Sequence, residues 1–278
     1  MSVLVVMAAL ALVLRPRRRR ASATADLSIV VPATGRSTLV GNFLLDAAID
    51  FLDIAHHGVA WRAAERHEET GIPFADDRLP SYFAGPFDAP IVLVHMMPKY
   101  EANESDRYRD FDDYVEQHRR WTADDTSRSA KRARDFTSAF TQGARLDLYF
   151  IPYAARRFDT RNLDGRLFRK EYERIMQMID AYPRDYVVFC GAAFDRLLAP
   201  YIIEKDDQRF RVSTRDGISK AQYRSSAVTL RFRQRPVRAA IAQSFTLTTT
   251  PMRAYGEACR DRYEGSACDV DTRASSAM

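Results

Sequence analysis

Three side chains that can contact a small polar ligand follow one short apolar run. Residues 91–94 read Ile-Val-Leu-Val, the composition of a buried parallel strand. The run ends at His95, and Lys99 and Tyr100 follow closely along the chain. Because open α/β sheets bind ligands beyond the carboxyl ends of their strands, we expect His95, Lys99 and Tyr100 to line a ligand site.

The neighbouring segments predict the fold that positions this site. Apolar residues recur at helical spacing over 39–51 and 168–182, and strand-like runs occupy 146–151 and 186–189. This alternation of helical and strand-like segments is typical of a parallel sheet covered by helices, so we predict a three-layer α/β/α fold with a mainly parallel central sheet. Residues 210–245 instead alternate apolar and polar side chains, which predicts a β-rich, partly antiparallel carboxyl-terminal edge.

The two ends of the chain differ in composition from a single central domain, which we assign to residues 28–264. Residues 3–14 are apolar and lead into an arginine-rich stretch, but this run is too short to span a bilayer. A signal peptide carries its positive charges before the apolar stretch, whereas here they follow it. We expect residues 1–27 to be a disordered or artefactual leader, with a short membrane anchor as the alternative, and residues 265–278 to be a disordered tail.

Charge and cysteine content narrow the class of protein. The formal net charge is +5, from 42 basic and 37 acidic residues. The leader supplies five arginines and no acid before residue 21, which leaves 37 basic residues against 37 acidic ones. The central domain therefore lacks the overall basic charge that is typical of nucleic-acid-binding domains. Three cysteines without a spacing pattern argue against a disulfide framework or a structural zinc site, so we expect a cytoplasmic protein without metal or cofactor.

Several motifs occur in an order that resembles the uracil-DNA-glycosylase-like superfamily. In that superfamily a buried strand runs into a loop built around a proline, as residues 91–94 here run towards Pro98. The resemblance covers roughly residues 79–263 and implies the same α/β fold. The segments that carry it are, in chain order, 79–85 and 89–94 with the Pro98 loop (first motif), 146–153 (second strand and base-pocket loop), 186–198 (strand–glycine–helix unit) and 240–253 (last strand and second catalytic motif).

The resemblance implies that the protein binds a nucleobase in DNA and, if it is an enzyme, hydrolyses an N-glycosidic bond. Met97 stands where the superfamily has a water-holding Asp or Asn, Lys99 replaces a glycine, and residues 243–253 contain no histidine. We therefore assign catalytic roles to His95, as a replacement acid or water-holding group, and to Gln243, as a hydrogen-bond donor. The residues expected to bind the nucleobase or a similar ligand, with Tyr153 stacking on its ring, are Met97, Pro98, Lys99, Tyr100, Tyr153, Phe158, Thr248 and Arg253.

The alternative is a catalytically inactive module of the same fold that binds or senses a small ligand or nucleic acid. Met97 favours this alternative because a thioether can neither accept a proton usefully nor orient water well. An unrelated α/β-hydrolase-like enzyme is a third interpretation. It is disfavoured because the chain contains no Gly-x-Ser-x-Gly nucleophile motif.

Overall fold

The chain forms a mixed sheet accompanied by helices. The computed structural model describes residues 35–98, 110–124, 128–140, 144–155, 157–159, 163–214, 217–233 and 235–275. The described helices are α1 Gly35–His57, α2 Val59–Thr70, α3 Phe111–Asp124, α4 Arg128–Thr137, α5 Gly165–Asp180, α6 Ala193–Leu197 and α7 Met252–Ser275, with a 3-10 turn at Ala199–Tyr201. The described strands are β1 Phe83–Ala84, β2 Ile91–His95, β3 Arg145–Tyr149, β4 Tyr186–Cys190, β5 Ile202–Phe210, β6 Ser213–Thr214, β7 Gly217–Ile218, β8 Tyr223–Phe232 and β9 Arg235–Ala242.

Seven of the described strands form one sheet in the order β1-β3-β2-β4-β9-β8-β5. Strands β3, β2, β4 and β9 are parallel to one another, whereas β1 pairs antiparallel at one edge and β8 and β5 pair antiparallel at the other. The predicted α/β class with parallel core strands is confirmed. The sheet is mixed rather than mainly parallel, because half of its pairings are antiparallel. Antiparallel β8 lies within residues 210–245, where the sequence predicts a β-rich edge, whereas its partner β5 precedes that segment except for Phe210.

The parallel strands end at a common level. His95 is the register partner of Tyr149 on one side and of Cys190 on the other, and Cys190 is the partner of Ala242. The β2 residues before His95 are all fully buried, which is why this strand is apolar throughout. Gly191, at φ +131°, turns the chain sharply after β4, and its amide donates to the Ala242 carbonyl.

Internal contacts divide the chain into two compact units. The sheet unit comprises the described residues within 83–98, 118–151 and 183–278. The helical unit comprises those within 1–82, 99–117 and 152–182. The assignment of residues 28–264 to a single domain stays a prediction.

One hydrophobic core of the sheet unit lies on one face of the sheet. Leu93 and Val188 of the central strands pack there with aromatic side chains of α4 and α7, among them Phe136 and Tyr255. Gly256 of α7 lies against the backbone carbonyl of Phe136, where any β-carbon would clash. Helices α4 and α7 therefore pack with their backbones close together.

The helical unit is built on α1, which packs against α2 and α5. The apolar face predicted over residues 39–51 is buried, with Phe43 and Ala47 almost inaccessible to solvent. Helix α5 begins at an Asp164 cap, whose carboxylate accepts a hydrogen bond from the Arg166 amide at 3.1 Å. Its buried face includes Tyr172, which lies within the helical pattern predicted over 168–182.

Several sequence expectations fall wholly or partly outside the described residues. The leader 1–27 and the ligand-binding candidates Lys99 and Tyr100 lie outside them. Helix α7 continues to Ser275, past the start of the tail predicted to be disordered from residue 265. None of the described helices is long and apolar enough to cross a membrane.

Candidate functional site

His95 lies at the carboxyl end of β2, with parallel strands on both sides. Its side chain is 19% exposed, unlike the fully buried strand residues that precede it. The aromatic rings of Tyr149 and Phe245 flank the imidazole, each with its centroid 5.7 Å away. The structure thus places an accessible imidazole where open α/β sheets bind their ligands.

A buried carboxylate faces this imidazole. His95 Nε2 is 3.3 Å from Asp147 Oδ1 of the neighbouring strand. Arg145 forms an ion pair with the same carboxylate, with Nη2 and Nε each 3.1 Å from Oδ2. Since side chains alternate along a strand, Arg145 and Asp147 point to the same side of β3. The three side chains form one row, which we call the His95–Asp147–Arg145 row.

The charge state of Asp147 follows from its two neighbours. Burial alone would raise the pKa of this carboxyl group, but Arg145 and the hydrogen bond from His95 outweigh burial and hold the pKa below its ordinary value. Asp147 is therefore an anion at neutral pH. An ionised carboxylate can only accept hydrogen bonds, so His95 Nε2 must carry the proton in this contact.

This assignment leaves Nδ1 of neutral His95 with a lone pair. Among the described residues, no hydrogen-bond partner contacts Nδ1. A partly exposed imidazole nitrogen, with the opposite nitrogen held by a carboxylate, has the arrangement of a general base or a hydrogen-bond acceptor. The row can therefore hold a water molecule or the N–H group of a ligand.

The neighbouring cysteine is not a nucleophile in this state. Cys190 is buried beside His95 in register, and its thiol contacts the Val188 carbonyl. Burial, together with the nearby charge of Asp147, raises the pKa of Cys190 well above its ordinary value. The thiolate needed for nucleophilic attack is therefore disfavoured.

The loop after β2 begins in a fixed position. The amides of Phe150 and Ile151 donate to the carbonyls of His95 and Met96, each at 2.8 Å. Met97 and Pro98, two predicted ligand-binding residues, follow directly and are half-buried. These bonds extend the pairing between β2 and β3 past His95, so the loop starts at the level of the site.

Gln243 follows β9 at the same edge of the sheet but points to the other face. Its Nε2 donates to Ser226 Oγ at 2.9 Å, and Ser226 is the register partner of Ile241. Ile241 is the register partner of Phe189 in β4, and Phe189 is the partner of Val94, the residue before His95. Because side chains alternate along a strand, the Ile241 side chain lies on the face of the sheet opposite the imidazole. The structure therefore does not bring Gln243 and His95, the two predicted catalytic residues, into one contact.

The orientation of the Gln243 amide follows from its neighbours. Ser226 donates its one hydroxyl proton to Asp207 Oδ1 at 2.5 Å, so the Gln243 atom facing Ser226 must be the nitrogen. Gln243 Oε1 is buried without a partner among the described residues. The amide thus has an unused acceptor, whereas the sequence predicted a donor.

Two other predicted ligand-binding residues belong to the segment after β9. Thr248 is exposed, and its carbonyl accepts from Arg132 Nη1 at 3.2 Å. Arg253, in the first turn of α7, has a 75% exposed side chain and pairs with Glu257 at 3.3 Å. Both therefore lie on the surface of the sheet unit.

Tyr153 and Phe158 belong to the helical unit. Phe158 is half-buried, whereas Tyr153 is buried and donates its hydroxyl to Asp50 Oδ2 at 2.6 Å. The Tyr153 ring packs against Phe74, with centroids 5.3 Å apart. Stacking of a base on Tyr153 stays a prediction, and it would require this ring to leave those contacts.

Asp50 is the centre of a buried polar cluster that the sequence did not reveal. Besides Tyr153, its carboxylate accepts from the Tyr82 hydroxyl, from Arg62 Nε at 3.0 Å and from Arg66 Nη2 at 3.1 Å. Burial would raise the pKa of Asp50, but Arg66 and the two phenol hydroxyls hold it below its ordinary value. Because two phenol hydroxyls and two guanidinium groups all donate to this one buried anion, the cluster is a structural tie within the helical unit rather than a reactive centre.

No family model and no curated protein matches this chain. The resemblance to the uracil-DNA-glycosylase-like superfamily therefore rests on the order of the motifs alone. Within the described residues, no cluster of three His, Cys, Asp or Glu side chains is arranged to hold a metal ion.

Sequence reasoning singled out His95 but missed Asp147 and Arg145. A signal was present, because residues 145–149 read Arg-Leu-Asp-Leu-Tyr and place two opposite charges on one side of a buried strand. Buried charges are rare unless they are paired. The alternation therefore indicated an ion pair, but it gave no information about which neighbouring strand supplied a third group.

Proposed function

We propose that the chain is a divergent uracil-DNA-glycosylase-like protein of three-layer architecture that binds a nucleobase at the carboxyl end of its parallel strands. The observation that carries this proposal is the contact between His95 Nε2 and the ionised Asp147, which leaves Nδ1 as an acceptor at the site. Met97 and Pro98 follow closely after this strand end, as a proline-centred loop follows a buried strand in the resembled superfamily.

The reaction that fits this arrangement is hydrolysis of an N-glycosidic bond in DNA. His95 Nδ1 accepts a proton from a water molecule as the water attacks the sugar carbon, while Nε2 stays bonded to Asp147. The base leaves with the electron pair of the broken bond. Asp147 stabilises the imidazolium that forms, and the charge of Arg145 keeps Asp147 ionised. In this mechanism His95 takes the role of the water-holding Asp or Asn that the superfamily has at the position of Met97. The mechanism uses neither metal nor cofactor.

A catalytically inactive nucleobase-binding module is the second candidate, and Met97 favours it. The thioether of Met97, two residues after the strand end, orients water poorly. The Tyr149 and Phe245 rings beside His95 suit a planar ligand. In this candidate His95 Nδ1 accepts a hydrogen bond from the base and no bond is broken.

A cleavage panel separates the two candidates. Single-stranded and duplex oligonucleotides carrying uracil, hypoxanthine or other altered bases are incubated with the full chain, and abasic sites are revealed with alkali. Glycosylase activity predicts abasic product whose rate falls at least about 100-fold in His95→Ala, the usual size of a general-base contribution. His67→Ala, an exposed histidine of the helical unit, is the matched control and should leave the rate unchanged.

Binding of free nucleobases is measured in parallel by calorimetry. Binding that weakens in His95→Ala, without abasic product from any oligonucleotide, supports the inactive module. The absence of both product and nucleobase binding would reject the proposed function altogether.

A further inference from the structure

Arg132 of α4 is a surface cation in the sheet unit whose described hydrogen bonds all go to backbone carbonyls. Its Nη2 donates to Phe245 at 2.8 Å and to Leu247 at 2.7 Å, and its Nη1 donates to Thr248 at 3.2 Å. These bonds fix the guanidinium against the segment after β9. They use three of its five N–H donors and leave one on Nε and one on Nη1.

The guanidinium of Arg132 has no ion-pair partner within the part of the chain that the structure describes. Among the described residues, none of the ion pairs includes Arg132. Arg128, one helical turn earlier on the same helix, is exposed and adds a second positive charge. Burial and then the charge of Arg128 lower the pKa of Arg132 from its ordinary value, which means that the two cations repel each other. The charge of Asp135, on the same helix, acts in the opposite direction but does not outweigh them. An anion bound beside them would relieve this repulsion.

The surrounding loop supplies further donors. Thr246, Thr248 and Thr249 are all exposed around the carbonyls that Arg132 holds. Arginine and threonine are side chains that commonly bind the phosphate groups of nucleic acids. A fixed guanidinium beside exposed hydroxyls is therefore suited to bind a phosphate with defined geometry.

The loop also links this cation to the candidate site. Phe245, whose carbonyl Arg132 holds, packs its ring against His95. We propose that Arg132, with Arg128 and the threonine hydroxyls of residues 246–249, binds a phosphodiester of the nucleic-acid strand whose base occupies the His95 site. The inference rests on the proposed function, which it deepens by adding a backbone contact.

The test compares salt dependence with base binding in the same variants. Affinity of the full chain for a fluorescent single-stranded 20-mer containing one uracil is measured by anisotropy between 50 and 200 mM salt. Removing one phosphate contact on a single strand should reduce the slope of log affinity against log salt by about 0.7. We expect Arg132→Gln to show that loss and to weaken binding about tenfold at the lowest salt. Arg132→Lys, which keeps the charge, should retain most of the slope.

Two controls separate a phosphate contact from a purely structural role. Free uracil, which has no phosphate, should bind Arg132→Gln as it binds the parent chain. Arg169→Gln removes one exposed charge from the helical unit and should leave the slope unchanged. Equal losses in Arg132→Lys and Arg132→Gln, accompanied by weaker uracil binding, would overturn the inference in favour of loop positioning.

The remaining outcomes distinguish this inference from the proposed function. Uracil binding that depends on His95, with an unchanged salt slope in Arg132→Gln, would overturn the phosphodiester contact alone. Thermal stabilisation by inorganic phosphate that depends on Arg132, again without a slope change on DNA, would identify free phosphate as the ligand and overturn the nucleic-acid assignment. Failure of both DNA and uracil to bind would overturn the proposed function together with the inference.

Discussion

Replacing Asp147 with asparagine tests the row on which the proposed site depends. The amide keeps the shape of the carboxylate but removes its charge. Arg145, which is 5% exposed, would then be a buried cation without its counter-ion. Breaking a buried pair in this way costs about 3–5 kcal/mol of the free energy of unfolding. That loss is large beside the 5–15 kcal/mol that holds a typical domain folded.

Urea unfolding of the parent chain, Asp147→Asn, Arg145→Gln and the double variant measures this coupling. The double variant removes both charges, so we expect it to be at least about 1 kcal/mol more stable than the sum of the single losses predicts. If Asp147→Asn alone is too unstable to purify, recovery of folded protein in the double variant would still indicate this coupling. A loss below about 1 kcal/mol in Asp147→Asn, or strictly additive losses, would refute the buried ion pair.

The same variant has a defined pH dependence. The pKa of Asp147 is lower in the folded chain than its ordinary value of 3.8, so the unfolded chain binds the proton first as pH falls. The stabilisation is therefore complete above about pH 4 and is lost as pH falls through the lower folded pKa. The stability difference between the parent chain and Asp147→Asn should shrink as pH falls below 4, where the carboxyl group of Asp147 becomes protonated. A difference that grows as pH falls below 4 would contradict the assigned charge state.

Three further predictions concern single residues. Nitrogen NMR at neutral pH should find the proton of neutral His95 on Nε2; a proton on Nδ1 would contradict the contact with ionised Asp147. Asp50→Asn should lower the free energy of unfolding by about 3–5 kcal/mol at pH 7, measured in urea, because two guanidinium groups lose their shared anion. Gly256→Ala should destabilise the chain in thermal unfolding because the new methyl group meets a carbonyl of α4, whereas Gly265→Ala, with open space on the same helix, should stabilise it by about 0.5–1 kcal/mol. Equal effects of the two alanines would argue against the close packing of α4 and α7.

The local pattern of apolar residues was enough to predict much of the fold. Residues 91–94 and 186–189 are mainly apolar because strands buried on both faces disfavour unpaired polar side chains, and both segments lie within central parallel strands. The stop at His95 likewise marked the end of β2 correctly. The antiparallel share of the sheet was underestimated because neither edge strand displays a clear apolar pattern. Strand β1 is only two residues long, and β5 is mostly polar and exposed.

Partners that lie far apart in sequence could not be predicted in this way. The contact of His95 with Asp147 joins residues 52 apart, and that of Tyr153 with Asp50 joins residues 103 apart. The sequence by itself determined which segments form buried strands and helices, because burial imposes a period that each segment displays alone. Only the tertiary structure decided which side chains meet, because strand order and register set these distances and depend on how all the segments pack at once.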